Sequence, residues 1–262
     1  ASAVRECEIE TLICSRRHPP RDLPAVPRLL YLEDALERTS TALRSLVFLA
    51  AFLLPSRLLQ EIYREKAVDP DSMATVLYTA GTAGPPKPVI LSHRNILANV
   101  DSLAQLFWVE NTDRVLGVLP FHYAFGFTVT LWLPLLSGCG AIYHHDAFDP
   151  ITVGKLTRSQ RATIIVGTPA MYSTYASEFS AEDFASLCYA LVGGERPSES
   201  LAAEFEEKFS LPLIEGYGCT EMSPVVAVNA PNFVQGRKCQ IGSKPGTVGH
   251  PLPAVTTKVV DP

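Results

Sequence analysis

The sequence predicts an α/β protein: a mainly parallel β-sheet flanked by helices, with the start of a β-rich subdomain at the C-terminal end. Three observations carry this. Short apolar, β-branched runs alternate with amphipathic stretches through the middle of the chain, the pattern of a parallel sheet covered by helices. The amphipathic stretches keep helical spacing, as in Ile96, Leu97, Val100, Leu103, Leu106 and Phe107. Beyond Val228 the character changes: Asn229, Pro231, Asn232, Gly236, Gly242, Pro245, Gly246, Gly249 and Pro251 break up short runs. Residues 1–228 therefore read as an α/β core and 229–262 as the beginning of the β-rich part.

The elements follow in order. Apolar runs at 9–14 and 29–32 suggest two strand edges, joined by a connector holding Pro19, Pro20, Pro24 and Pro27. The most apolar segment is 46–54, ending before Pro55. A spanning helix needs about 20 apolar residues, so this segment does not cross a membrane. It is either a helix packed on the protein or one that lies on a membrane surface, with Arg44, Arg57, Arg64 and Lys66 around it and Glu61 and Glu65 offsetting them. A buried strand is expected at 73–77. A helix capped by Ser92 or Asn95 covers 96–107. Strands at 115–119, 141–143, 162–166, 189–192 and 213–215 alternate with helices at 128–136, 151–160, 171–179 and 200–209.

Composition narrows the function classes. The chain has 262 residues, 47% of them hydrophobic and 19% charged, ordinary for a globular protein. A net charge of −5 gives no basic footprint, so no nucleic acid is expected. Cys7, Cys14, Cys139, Cys188, Cys219 and Cys239 form no C-x-x-C pair. A reducing cytoplasm is therefore expected rather than a disulfide framework or zinc site. No charged region followed by an apolar core opens the chain, so no signal peptide is expected. Both ends read as cuts within a longer protein.

Tyr78 to Asn95 reads Y-T-A-G-T-A-G-P-P-K-P-V-I-L-S-H-R-N. Gly81 and Gly84 let the backbone take positive φ and approach a ligand closely. Backbone N–H groups freed in this way make a concavity for anions. Thr79 and Thr82 add hydroxyls, and Lys87 adds a point charge. The spacing is not that of G-x-x-x-x-G-K-[ST]. Taken alone, the stretch is equally a Gly/Pro-rich surface loop. Residues 215–224 read E-G-Y-G-C-T-E-M-S-P. Gly216 and Gly218 let a strand end pass close to a nucleotide, and Tyr217 offers a flat face and a hydroxyl. Thr220 adds a hydroxyl donor and Glu221 a carboxylate of the kind that binds hard cations; taken alone, the stretch is also a simple turn. The loop Pro120 to Gly126, P-F-H-Y-A-F-G, is either the wall of a ligand pocket or a core aromatic cluster with one satisfied histidine.

Together these motifs resemble those of the adenylate-forming superfamily of acyl-CoA synthetases, acyl-[acyl-carrier-protein] synthetases and luciferases. Its phosphate loop is written [YF]-[TS]-S-G-[ST]-T-G-x-P-K-G and its second motif [YF]-G-x-T-E. Val192-Gly193-Gly194-Glu195-Arg196 is similar to the superfamily's adenine-side segment, and 242–251 to its later G-x-x-G-x-P element. Longer runs, including L-G-V-L-P-F and S-K-P-G-T-V-G, resemble the acyl-carrier-protein synthetase half of bacterial 2-acylglycerophosphoethanolamine acyltransferases. The companion half of those proteins carries H-x-x-x-x-D and is expected to lie outside this chain.

The resemblance implies that a fatty carboxylate attacks ATP, giving acyl-AMP and pyrophosphate, and that a thiol, first that of acyl-carrier protein, then takes the acyl group; the alternatives are a fatty acyl-CoA ligase and a non-catalytic nucleotide- or acyl-binding remnant with a degenerate phosphate loop. It implies that Thr79, Gly81, Thr82, Gly84 and Lys87 hold the phosphates. Gly193, Gly194, Glu195, Gly216, Tyr217 and Gly218 would face adenine and ribose. His122, Tyr123, Phe125, Gly126, Gly167 and Thr168 would line the acyl side, and Glu221 and Thr82 would hold Mg²⁺. Lys87, His122, Thr220 and Glu221 are the expected catalytic group. It also implies a lid domain, carrying a further lysine, beyond Pro262, so the chain alone is not expected to complete adenylation. The expected location is cytoplasmic, at the inner face of the membrane if 46–54 makes a peripheral contact. Ala80 and Ala83 stand where hydroxyl residues are expected, and Pro88 and Ala254 where glycine is.

Overall fold

The computed structural model describes residues 2–17, 26–62, 68–79, 86–235 and 238–260. The chain forms two compact units, Ala1–Asp69 and Pro70–Pro262.

The first unit holds α1 (Ser2–Glu6), β1 (Thr11–Cys14), β2 (Arg28–Tyr31), α2 (Leu32–Arg38), α3 (Thr41–Leu53) and α4 (Ser56–Ile62). β1 and β2 pair in parallel, Thr11 opposite Arg28. Just past β1, the backbone N–H of Arg16 donates to Glu33 and its guanidinium grips Asp34 at 2.8 Å, which pins α2 to the pair. Ser40 caps α3 by accepting from the Leu43 N–H. The helix covers the expected apolar segment, but it buries none of its residues; Phe48 and Phe52 are exposed. No helix among the described residues is long and apolar enough to cross a membrane.

The second unit opens with β3 (Met73–Thr79) and β4 (Lys87–Ser92), an antiparallel pair with Thr79 opposite Lys87. This corrects the sequence reading, which took the chain from the glycine loop straight into a helix. The reason lies in a period of two: Val89 and Leu91 are buried while Ile90 between them is exposed. β3 and β4 are therefore the two arms of a hairpin. α5 (His93–Leu106) follows at once, with Ser92 and Asn95 forming a reciprocal capping box.

Next come β5 (Arg114–Gly117), α6 (Ala124–Gly126), a π-helical stretch (Phe127–Trp132), α7 (Leu133–Ser137) and β6 (Gly140–Tyr143). α8 (Pro150–Gln160), β7 (Ile164–Gly167), α9 (Pro169–Glu178), β8 (Tyr189–Val192) and α10 (Glu199–Phe209) continue the alternation. β9 (Leu213–Gly218), a short 3₁₀ turn (Thr220–Met222), β10 (Val225–Val228), β11 (Phe233–Gln235), β12 (Lys238–Gln240) and β13 (His250–Pro251) complete it.

The seven-stranded sheet runs β13-β10-β9-β8-β7-β5-β6. It is parallel from β9 to β6, and β10 and β13 add antiparallel edges. The chain passes from β5 out to β6, then crosses back to β7 on the other side of β5. Ligands bind outside the carboxyl ends of such sheets. One face is packed by Tyr172, Tyr175, Phe184 and Phe205, all fully buried. Tyr172 donates its buried hydroxyl to the Leu191 carbonyl at 2.9 Å, fixing the end of β8.

Candidate active site

β8 and β9 lie side by side and share one pleated face. β8 presents Tyr189, Leu191 and Gly193 there; β9 presents Ile214, Gly216 and Gly218. A cavity of about 200 Å³ lies against this face. Its opposite wall comes from α5, through Leu103 and Phe107, and from the helical run that begins at Ala124, through Phe125, Val129 and Leu133.

The glycines are needed for space. A Cβ at Gly193 would stand 3.1 Å from the Phe125 ring. One at Gly218 would collide with the Pro224 carbonyl. Gly194 takes φ of +87°, a left-handed conformation open to glycine at no steric cost. Gly193, Gly216 and Gly218 thus keep the strand ends low where they reach the cavity, beside the Val192 and Tyr217 side chains.

The turn after β9 is tethered from two helices. Asn99 of α5 donates to the carbonyls of Val225 at 2.8 Å and Met222 at 3.3 Å. Thr128, in the π stretch, donates to the Ser223 carbonyl at 3.0 Å. Buried amides and hydroxyls in such places must be hydrogen-bonded, and here their partners are the backbone that holds Thr220 and Glu221. β4 packs against the same Thr220–Met222 turn. The hairpin bearing Thr79 and Lys87 and the turn bearing Thr220 and Glu221 are therefore neighbours. Burial and the neighbouring Glu221 carboxylate push the Cys219 thiol up, so it stays protonated near neutrality.

Of the residues expected to form the site, Tyr123, Phe125, Gly193, Gly194, Gly216, Tyr217, Gly218 and Thr220 line this one cavity. Glu221 is exposed one residue beyond it, and Lys87 is exposed at the start of β4. Gly81, Thr82 and Gly84, with Ala80 and Ala83, lie outside the described residues. The His122 ring lies tilted against that of Tyr123, ring centres 4.4 Å apart, but does not itself line the cavity. Gly126 and Gly167 have packing roles: a Cβ on the first would press on the Pro120 carbonyl, and one on the second on Met171 and Tyr172. Thr168 opens α9, near Gly194. Glu195 is exposed just past the glycines.

Sequence reasoning missed Asn99 and Thr128, whose polarity inside amphipathic helices was the available signal. It also missed the lower cavity wall. The alternation Tyr189-x-Leu191-x-Gly193 beside Ile214-x-Gly216-x-Gly218 was there to find it. The chain does hold one H-x-x-x-x-D spacing, His144 to Asp149. Those side chains meet at 3.4 Å, but Asp149 caps α8 through the Thr152 N–H, and neither residue lines the cavity.

Comparison with known proteins agrees with this geometry. A family model described as AMP-binding enzyme matches residues 1–262. A long-chain-fatty-acid–CoA ligase of Bacillus subtilis (strain 168) is 32% identical over 197 residues, 73% of this chain and 34% of that protein. The putative acyl-CoA synthetase YngI of the same organism is 30% identical over 202 residues, 76% of this chain and 36% of that protein. The chain thus spans about a third of the length of these relatives. ATP-bound MatB from Rhodopseudomonas palustris superposes with a TM-score of 0.73 at 21% identity, covering 100% of this chain and 48% of that one. The anthranilate CoA ligase AuaEII with anthranoyl-AMP superposes with a TM-score of 0.76 at 20% identity, covering 96% and 46%. These two likenesses bear on the fold, which they share.

Proposed function

The chain belongs to the AMP-binding enzyme family, and from that premise we propose that it forms the site where a protein activates a fatty carboxylate with ATP. One observation carries the reading. The glycine-rich ends of β8 and β9 and Thr220 line a largely apolar cavity, and β4 packs against the Thr220–Met222 turn.

A carboxylate oxygen attacks the α-phosphorus of ATP, the bond to the bridging oxygen breaks, and pyrophosphate leaves, giving acyl-AMP. Catalysis of this kind is mainly positioning and charge neutralisation. Lys87, Thr79, Gly81, Thr82 and Gly84 hold the β- and γ-phosphates. Thr220 donates to the α-phosphate. Gly193, Gly194, Glu195, Gly216, Tyr217 and Gly218 form the nucleoside face. Tyr123, Phe125 and the adjoining His122, Gly126, Gly167 and Thr168 shape the acyl side. Among the described residues no three metal-ligating side chains cluster. That suits Mg²⁺, which is bound by one or two protein oxygens together with substrate phosphates. In this reading Glu221 would supply one and Thr82 the second, and the ion would offset phosphate charge.

A thiol then attacks the acyl carbon and AMP leaves. The named relatives favour CoA as acceptor. The runs shared with acyl-carrier-protein synthetases favour phosphopantetheine on a carrier protein. Supplying each to the full-length protein separates the two by which thioester accumulates. The exposed apolar face of α3 is proposed as a peripheral membrane contact. Liposome co-sedimentation that Phe48→Asp leaves unchanged would remove that element.

The function itself is tested by titrating ATP·Mg²⁺ into the full-length protein. Glu221→Gln and Lys87→Ala are each expected to weaken binding by about tenfold or more, since hydrogen bonds to charged groups contribute about 1.5–3 kcal/mol. Unchanged affinity in both variants contradicts the assignment.

A further inference from the structure

We propose that Phe107 and Tyr189 form the end stop of an aliphatic-chain tunnel and set the longest carboxylate this protein accepts. The proposal rests on the adenylation reading and adds to it a substrate class and a length limit.

The directions of the two walls locate this pair. α5 is held at Asn99 to Val225, the residue paired with Gly218 at the carboxyl end of β9. Phe107 lies eight residues further along, about 12 Å at a helical rise of about 1.5 Å per residue. On the opposite wall, Gly193 stands just past the carboxyl end of β8 and Tyr189 at its amino end. That is four residues, about 13 Å at about 3.3 Å each. Both walls therefore run the same distance away from Thr220, and they finish on the same two rings. Phe107 and Tyr189 meet edge-to-face, centroids 5.2 Å apart and planes 66° apart. Phe107 is only 4% exposed.

Between mouth and end, the lining is Leu103, Val129, Leu133, Ile164, Leu191 and Ile214. None offers a hydrogen bond. The hydroxyls of Tyr123, Tyr217 and Thr220 belong to the mouth. A cavity with three hydroxyls at its mouth, an aliphatic wall along its length and an aromatic pair at its far end, where Tyr189 adds one more hydroxyl, fits a carboxylate with a straight apolar tail. An acyl group with polar substituents midway along its chain would leave them unpaired against this wall. The terminal pair is a firm boundary, because close-packed aromatic rings have little room to yield.

The test uses the full-length protein and saturated straight-chain carboxylates from butanoate to octadecanoate. Two readouts are taken for each: thermal stabilisation of the protein, and carboxylate-dependent pyrophosphate release. Tyr189→Ala, which removes the stop, is expected to admit longer chains. kcat/KM for the first length that wild type rejects should rise by roughly tenfold or more, the scale set by one misfitted methylene. Leu103→Phe narrows the tunnel midway and is expected to cut the longest accepted chains by a similar factor while short ones are kept. The second variant decides the matter if the first fails to fold. Folded variants that both keep the wild-type length profile overturn the end stop and leave adenylation standing. A wild-type protein that responds to no carboxylate of any length overturns the adenylation reading, and the end stop with it.

Discussion

Ala254 holds φ of +65°, in the left-handed region that costs an L-residue with a Cβ roughly 1–2 kcal/mol. The sequence reading singled out this residue because glycine is expected there, and the backbone supplies the reason. Ala254→Gly is expected to raise stability by about 1 kcal/mol, measured as a higher urea midpoint at unchanged slope. Asn99 gives the opposite case. Its removal leaves the Val225 backbone N–H without a partner in a buried setting. Asn99→Ala should cost about 1–3 kcal/mol in the same measurement and raise KM for ATP by releasing the Thr220–Glu221 turn. At this scale Gly216, Tyr217, Gly218 and Thr220 were legible, because chemistry fixes residue type and spacing. Phe107 and Tyr189 were not, because an apolar residue that lines a cavity carries the same spacing as one that fills a core.

Among the elements, the strand after the glycine loop shows what local pattern conceals. Lys87 and Pro88 open β4 with a charge and a residue that cannot donate to a ladder, and only Val89 and Leu91 carry the inward period. The helix boundary that follows was legible, since Ser92 and Asn95 satisfy each other's backbone. The junction of β1 with α2 makes a pH-dependent element. Glu33 accepts from the Ser15 hydroxyl and then from the Arg16 N–H, which lowers its pKa from 4.5 to about 2. A depressed carboxylate stabilises the fold above its ordinary pKa, and that stabilisation is lost as pH falls toward about 2. Wild type is therefore expected to lose this contribution to first-unit stability between about pH 4.5 and pH 2. Glu33→Gln should remove that pH-dependent component, read by circular dichroism across an acid titration.

For the whole molecule, alternation of strands and helices announced the parallel sheet, but not its order. The return from β6 across β5 to β7 depends on which faces the helices cover, and no local pattern encodes that. That order places the mouth of the cavity at the carboxyl ends of β8 and β9, with the β3–β4 hairpin beside the Thr220–Met222 turn. The sequence separates these two parts by more than a hundred residues. The central claim is that they make one catalytic site. It is tested most directly by carboxylate-dependent exchange between pyrophosphate and ATP in the full-length protein, with Lys87→Ala and Glu221→Gln measured alongside. The account predicts exchange in the wild type and a fall of about tenfold to a hundredfold in each variant, the scale of about 1.5–3 kcal/mol per lost charged interaction. No exchange in the wild type, or exchange untouched by either substitution, would contradict it.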